Sequence, residues 1–302
     1  MVVSKLLATG TLSLDPTNDK VIDPIKVPAY GDLIALYIKM DANVTLGTGD
    51  AIKSNTRTID LIKEIKLKEG PDDIFVGKAV KPGIHTADLF SYMFSVLKHG
   101  GEAQRITYKA LASGSNSDQL LFFMDYPAAD RTLFLTFVNL GYVTSALSGT
   151  SISIYYEIYA IYQSSAPRLN LMTQTYIPET LPATSSEFDM YKWMPDAKTI
   201  ACWLVLTDAD DRIDRFEIKI SQGTEKTRLP VDLLAVLENY NIEAKLKQSV
   251  NTEYTLVSPH VSGQILLIPP LPAFVKTTTG EYKLFTTSNA MSLMQLLYLV
   301  NR

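Results

Sequence analysis

The chain has 302 residues, enough for two cores, and its 20% of charged residues falls below the roughly 25% typical of soluble domains. A net charge of −4 gives no overall basic field, which argues against nucleic-acid binding by phosphate neutralisation as its main task. Its single cysteine, Cys202, sits in an apolar run at 200–206, so an intramolecular disulfide framework is excluded and a buried core thiol is expected.

The start, Met1 to Thr9, carries one charge and a short, broken apolar stretch, less than a secretory signal needs. No uninterrupted apolar run approaches the ~18 residues that span a bilayer. Pro16, Pro24 and Pro28 then punctuate a segment rich in Asp and Asn, and residues 1–30 are expected to form an extended N-terminal arm. From residue 32 to 40 the alternation of Ile34, Leu36, Ile38 and Met40 predicts a strand that buries those side chains on one face. Residues 58–67 admit two patterns, Ile59, Ile62 and Ile65 at helical spacing or two short strands, and strand is the favoured reading.

A strand over 74–80, a turn at Pro82-Gly83 and an amphipathic helix follow; the helix carries Leu89, Met93, Val96 and Leu97 on one face and Asp88 near its positive end. Strands are expected over 105–111, 119–126, 132–139 and 151–163, separated by clusters of Gly, Ser, Asn, Pro and Asp. In the last of these, Ile152, Ile154, Tyr156, Ile158, Ala160 and Tyr162 read as core. Tyr155, Glu157 and Tyr159 read as a half-polar outer face suited to a partner.

Residues 164–182 are expected to link two domains, 31–163 and 183–302. The second half repeats the plan, with strands over 187–193, 199–207 and 215–220, a helix over 230–240, strands near 242–247, 253–257, 264–268 and 283–287, and a last apolar segment at 291–300. The strand, turn and helix ending in Thr86-Ala87-Asp88-Leu89 recurs in Pro230-Val231-Asp232-Leu233, at a separation of 232 − 88 = 144 positions, one domain length. About eight strands per half, with one helix inserted midway, predict an all-β chain of two tandem eight-stranded jelly rolls, each with a flanking helix. Strands apolar on both faces, 120–124 and 200–206, need a cover beyond one sandwich, from the neighbouring domain or another subunit, unless they are central strands under loops.

Equipment for catalysis is sparse. His85, His99 and His260 are far apart and lack the spacing of a metal site; His85 and His99 bracket the first helix and read as polar helix ends. Gly47-Thr48-Gly49 lacks the rest of a phosphate loop, and no Gly-x-Ser-x-Gly elbow joins a strand to a helix. The acidic cluster Asp208, Asp210, Asp211 and Asp214 is the best metal candidate, for Ca²⁺, but it lacks the glycine and distal glutamate of an EF-hand, and a solvated loop between two strands is the favoured reading. Neither a catalytic residue nor a cofactor is expected.

Several segments carry a resemblance to a known family: Ser165-Ala166-Pro167 leading into an arm, the apolar strand at 199–206, the alternating Asp214-Arg215-Phe216-Glu217-Ile218, the helix at 229–240, and Asn251-Thr252-Glu253-Tyr254-Thr255-Leu256. In this order and spacing the chain resembles the double jelly-roll major capsid proteins of membrane-containing icosahedral bacteriophages, nearest to the corticovirus type. The resemblance covers most of residues 30–302. It implies a homotrimer in which six similar sandwiches form a pseudo-hexagonal capsomer, with neighbouring capsomers, vertex proteins and minor membrane proteins as partners, and no specific nucleic-acid binding. Members of this type can carry structural Ca²⁺, but the resemblance assigns no ligands here. Tyr155, Tyr159 and Trp203 are the interface candidates. The rival reading from another class is a two-domain jelly-roll enzyme or lectin that acts on glycans.

Overall fold

The structure, a computed structural model, describes residues 2–87, 108–145 and 148–164 and, beyond them, the backbone of the strands at 171–180, 186–189, 199–207, 213–219, 226–230, 265–268, 281–286 and 291–299. The chain divides into two compact units, Met1–Leu169 and Asn170–Arg302.

The first unit contains β1 (Val2–Ser13), β2 (Lys20–Val21), β3 (Ile25–Val27), β4 (Asp32–Thr45), β5 (Ile62–Glu69), β6 (Asp72–Lys81), β7 (Ile84–His85), β8 (Gly114–Tyr126), β9 (Arg131–Phe137) and β10 (Ser151–Gln163). One sheet has the order β1-β10-β4-β8; the other runs β2-β9-β5-β6-β7, with β3 also paired to β9. Counting the broken pair β2 and β3 as one strand and the hairpin β6 and β7 as one, the sheets take strands 1-8-3-6 and 2-7-4-5 of the chain. That order is a jelly roll, in which the first and last strands are neighbours.

The second unit contains β11 (Leu171–Thr180), β12 (Ser186–Asp189), β13 (Thr199–Thr207), β14 (Ile213–Lys219), β15 (Lys226–Pro230), β16 (Ile265–Ile268), β17 (Glu281–Thr286) and β18 (Met291–Leu299). Its sheets, β11-β18-β13-β16 and β12-β17-β14-β15, reproduce the same 1-8-3-6 and 2-7-4-5 order. The duplication is therefore present in the topology, but the equivalence differs from the sequence repeat by one strand. The repeat matched 74–80, in β6, to 215–220, in β14. Sheet order makes β5 the counterpart of β14, each lying beside the strand before last, and β6 the counterpart of β15. The two-residue β7 causes the slip, because it adds a second strand and turn ahead of residue 86 that a local pattern cannot tell from the first.

Alternation holds along most of the first core. In β10, Ile152, Ile154, Ile158 and Ala160 are fully buried, with Tyr156 and Tyr162 nearly so, as their spacing predicts. In β4, Leu36, Ile38 and Met40 point inward, but Leu33 replaces the expected Ile34. A β-bulge at Ile34, against β10, shifts the inward phase by one residue. Residues 58–67 divide between both patterns, a 3₁₀ turn at Thr58–Leu61 and the strand β5 from Ile62. Of the strand expected at 105–111, Tyr108 to Leu111 is described and makes a single bridge, Arg57 to Ala110. The strand expected from 119 begins earlier, since β8 opens at Gly114, with φ 93°.

Residues 2–13, expected as part of an arm, are extended and are hydrogen-bonded along β10 as β1. Within the expected linker, 171–180 is the strand β11, paired with β18. Pro230, placed at the start of a helix, is the last residue of β15, opposite Arg215. The helices expected from residue 88 and over 231–240, and the strands near 242–247 and 253–257, lie outside the described residues.

His85 is the largest departure from the sequence reading. It does stand at a helix end, directly before the helical residues Thr86 and Ala87, but its side chain is completely buried. Its Nδ1 accepts from the Ala87 amide at 3.1 Å, which leaves Nε2 to donate to the Ile62 carbonyl at 3.0 Å, so both nitrogens are satisfied only in the neutral ring. Burial, reinforced by the Arg57 charge, pushes its pKa down to about 3. Nearby, the buried Asp60 accepts from the Arg57 and Gly83 amides at 2.8 Å each and pairs with the Arg57 guanidinium at 3.5 Å, which offsets part of the cost of burying both charges. Gly77 in β6 makes room for the chain beyond His85: a Cβ there would lie 2.2 Å from the Ala87 Cβ and 3.0 Å from Ile65 Cγ2.

Two outcomes are expected. The unfolded chain binds a proton at His85 below 6.5 and the folded chain does not until about 3, so stability is complete above that window and falls as pH drops through it. The slope is ~1.4 kcal/mol per pH unit, and His85→Gln, measured by urea denaturation between pH 7 and 5, should flatten it. An equal slope in the variant would show that His85 does not carry the effect. Gly77→Ala should destabilise by about 1–3 kcal/mol through overpacking, read as a lowered denaturation midpoint.

Candidate assembly surface

The buried alternation of β10 fixes what its other face displays. Register across the four-stranded sheet aligns outward residues in rows: Leu6, Tyr159, Tyr37 and Leu121; then Thr9, Glu157, Lys39 and Gln119; then Thr11, Tyr155, Asp41 and Ser117; then Ser13, Ser153, Asn43 and Ser115. The face is graded, aromatic and aliphatic at one end, charged in the middle, and hydroxyl and amide at the other.

Glu157 organises the centre. Its Oε1 accepts from Tyr155 at 2.8 Å and its Oε2 from Tyr159 at 2.7 Å, while Lys39 Nζ lies 3.5 Å from Oε1 and 3.9 Å from Asp41. The hydrogen bonds from Tyr159 and Tyr155 hold the Glu157 carboxyl below its ordinary range. The same bonds push both phenols up, and the Glu157 charge raises Lys39. The Tyr37 and Tyr159 rings pack 5.7 Å apart, and Lys39 Nζ lies 6.0 Å from the Tyr155 ring centre. Aromatic rings held at fixed angles by a shared carboxylate lose little entropy on contact, which suits recognition more than chemistry.

Of the sequence candidates, Tyr155 and Tyr159 are thus brought together through Glu157. Trp203 lies in β13 with its backbone between Ile268 of β16 and Leu296 of β18. Asp208, Asp210 and Asp211 are outside the described residues, and Asp214 is in β14. Among the described residues no group of three or more His, Cys, Asp or Glu is arranged to hold a metal ion, and no helix is long and apolar enough to cross a membrane. His85, with both ring nitrogens engaged, offers no catalytic base. Tyr37, Lys39 and Asp41 were missed in the sequence, although the inward alternation of Ile38 and Met40 implies their outward direction. Their register against β10 has no local signal.

No family model and no curated protein sequence matches the chain. Solved structures do. The chain is similar to the major capsid protein of Sulfolobus turreted icosahedral virus, at 15% identity over 99% of this chain and 97% of that one, with a TM-score of 0.61. The same virus's atomic structure aligns at 16% identity, 99% and 90% coverage and a TM-score of 0.61. The capsid of the virus PBCV-1 aligns at 10% identity, 99% and 93% coverage and a TM-score of 0.56. The fold is the double jelly roll of viral major capsid proteins.

In this double jelly roll the Glu157 cluster makes a direct prediction. Replacing the carboxylate by an amide in Glu157→Gln should bring the Tyr155 and Tyr159 titrations down toward ordinary phenols, because their largest upward cause is the bond to Glu157. Tyrosine-selective NMR across alkaline pH reads this, and two unshifted ring signals would show that the bonds do not form in solution.

Proposed function

We propose that the chain is a viral major capsid protein of the virion shell. It assembles as homotrimers, each a pseudo-hexagonal capsomer that tiles an icosahedral shell over an internal membrane, in contact with neighbouring capsomers, vertex proteins and minor membrane proteins. The observation that carries this reading is the doubled topology, two sandwiches of identical strand order in one chain, aligned nearly end to end with a capsid protein. Three copies of a doubled sandwich present six similar units around a three-fold axis, with heterologous contacts that close into a ring. The low charged fraction and the aromatic outer face of β10 support large contacts between copies. In the same reading, Asp208, Asp210, Asp211 and Asp214 form a Ca²⁺-binding segment that stiffens the capsomer.

Light scattering of the purified full chain tests this, with and without a chelator. A mass near three times 33.5 kDa supports the capsomer, and a monomer under both conditions overturns it. Loss of mass on chelation, reversed by Ca²⁺, supports the metal, and an unchanged mass with no bound Ca²⁺ removes it from the reading.

A further inference from the structure

β1 is the open edge of its sheet: it pairs with β10, and among the described residues no strand lies along its other side. Such an edge presents unpaired amides and carbonyls, which proteins commonly blunt with charge or proline. β1 has no proline and one charge, Lys5. The exposed large hydrophobic residues gather here instead. Val2, Val3 and Leu6 on β1 are 60, 38 and 54% exposed, Val21 across the edge is 68%, and Tyr30, whose ring centre is 4.6 Å from Lys5 Nζ, is 62%.

The two halves of β1 differ in shape. The N-terminal half carries the protruding Val2, Val3 and Leu6. The C-terminal half borders a groove of about 590 Å³, lined by the apolar Leu12, Val21, Ile25 and Tyr156 and by the charged Lys20, Asp23 and Lys26. Backbone direction differs too. The Leu14 amide donates to the Ile152 carbonyl at 2.9 Å, so antiparallel alternation turns the backbone groups of Ser13, Thr11 and Thr9 toward the open edge. The bulge between Leu6 and Ala8 then resets the phase, and Leu6, Ser4 and Val2 face outward in the other half.

We propose that β1 pairs antiparallel with β1 of a second copy across a two-fold axis, merging their sheets; within the capsid reading, on which this rests, the pair joins neighbouring capsomers. The outward backbone groups match without a gap: Leu6 lies opposite Thr9, Ser4 opposite Thr11 and Val2 opposite Ser13 of the other copy, and the axis repeats each pair. On the inner face, Val3 then lies opposite Leu12 and Lys5 opposite Gly10, so the exposed Val3 of each copy meets the grooved half of the other, while Val2 and Leu6 extend the outer face. A knob and a hole on one strand in this arrangement are self-complementary, which singles out a second copy over a foreign peptide.

Sedimentation velocity of the full chain, paired with cross-linking, tests the proposal. Wild type should form a species of twice its unit mass. Thr11→Pro deletes an outward amide and none bonded to β10, so it should weaken that species at least tenfold with the thermal midpoint unchanged. Val3→Cys with Leu12→Cys, in a Cys202→Ser background, should give an intermolecular disulfide on mild oxidation, since these positions are ~30 Å apart along one extended strand. If Thr11→Pro does not fold, the disulfide decides. An undiminished doubled species in Thr11→Pro, or no disulfide, overturns the pairing. Trimers that neither double nor cross-link overturn it while leaving the capsomer reading intact; a doubled species built on monomers supports the pairing and overturns the trimer.

Discussion

β10 has one register it can accept. It lies between β1 and β4, and its inward residues from Ile152 to Tyr162 are all buried. Because side chains alternate with period two, a slip of one residue would turn every one of them to the outside and bring Tyr155, Glu157 and Tyr159 into the core. Neighbouring strands therefore adapt to β10, through the bulge at Leu7 in β1 and the bulge at Ile34 in β4. The graded outer face follows from this constraint, since the rows of outward residues exist only in the register that the core imposes.

At the other sheet, ordered polar groups play the part that apolar packing plays around β10. Asp60 joins the amides of Arg57 and Gly83, and His85 ties residue 62 to residue 87. Asp118 similarly accepts from the Lys109 amide at 2.8 Å and from the Thr58 hydroxyl, so β8, the 3₁₀ turn and the segment before β8 are held at one carboxylate. Each of these groups would be costly if left unpaired, and together they fix where irregular chain can cross the end of the sandwich.

Strands with clear alternation were legible in the sequence, β10, β9 and most of β4, and in the second unit the apolar run of β13 was legible by its composition. Three elements were not. β1 was read as an arm because its bulge breaks the alternation and the proline-rich segment after it dominates the local signal. β11 was read as linker because it contains Pro178, yet an edge strand tolerates proline, and β11 is the edge of its sheet. His85 was placed at a helix end, where it is, but its burial was not legible, since nothing in its neighbours in sequence reveals that Ile62 supplies an acceptor. In the candidate surface, the outward side of β10 could be read, and its partners on β4 could not, because register between strands more than a hundred residues apart is set by packing.

The jelly-roll order has a consequence for the ribosome. Val2 pairs with Gln163, so the first strand of the chain cannot find its place in the sheet until the last strand of the unit has been made. At about 5–20 residues per second, the intervening chain takes roughly 8–30 s to synthesise. During that time an apolar strand with both edges open is free to meet another copy of the same sequence. Yield of this protein is thus a race between completing β10 and meeting another nascent β1, and slower translation or a holdase chaperone that shields residues 2–13 acts on that race, with no change to the stability of the finished fold.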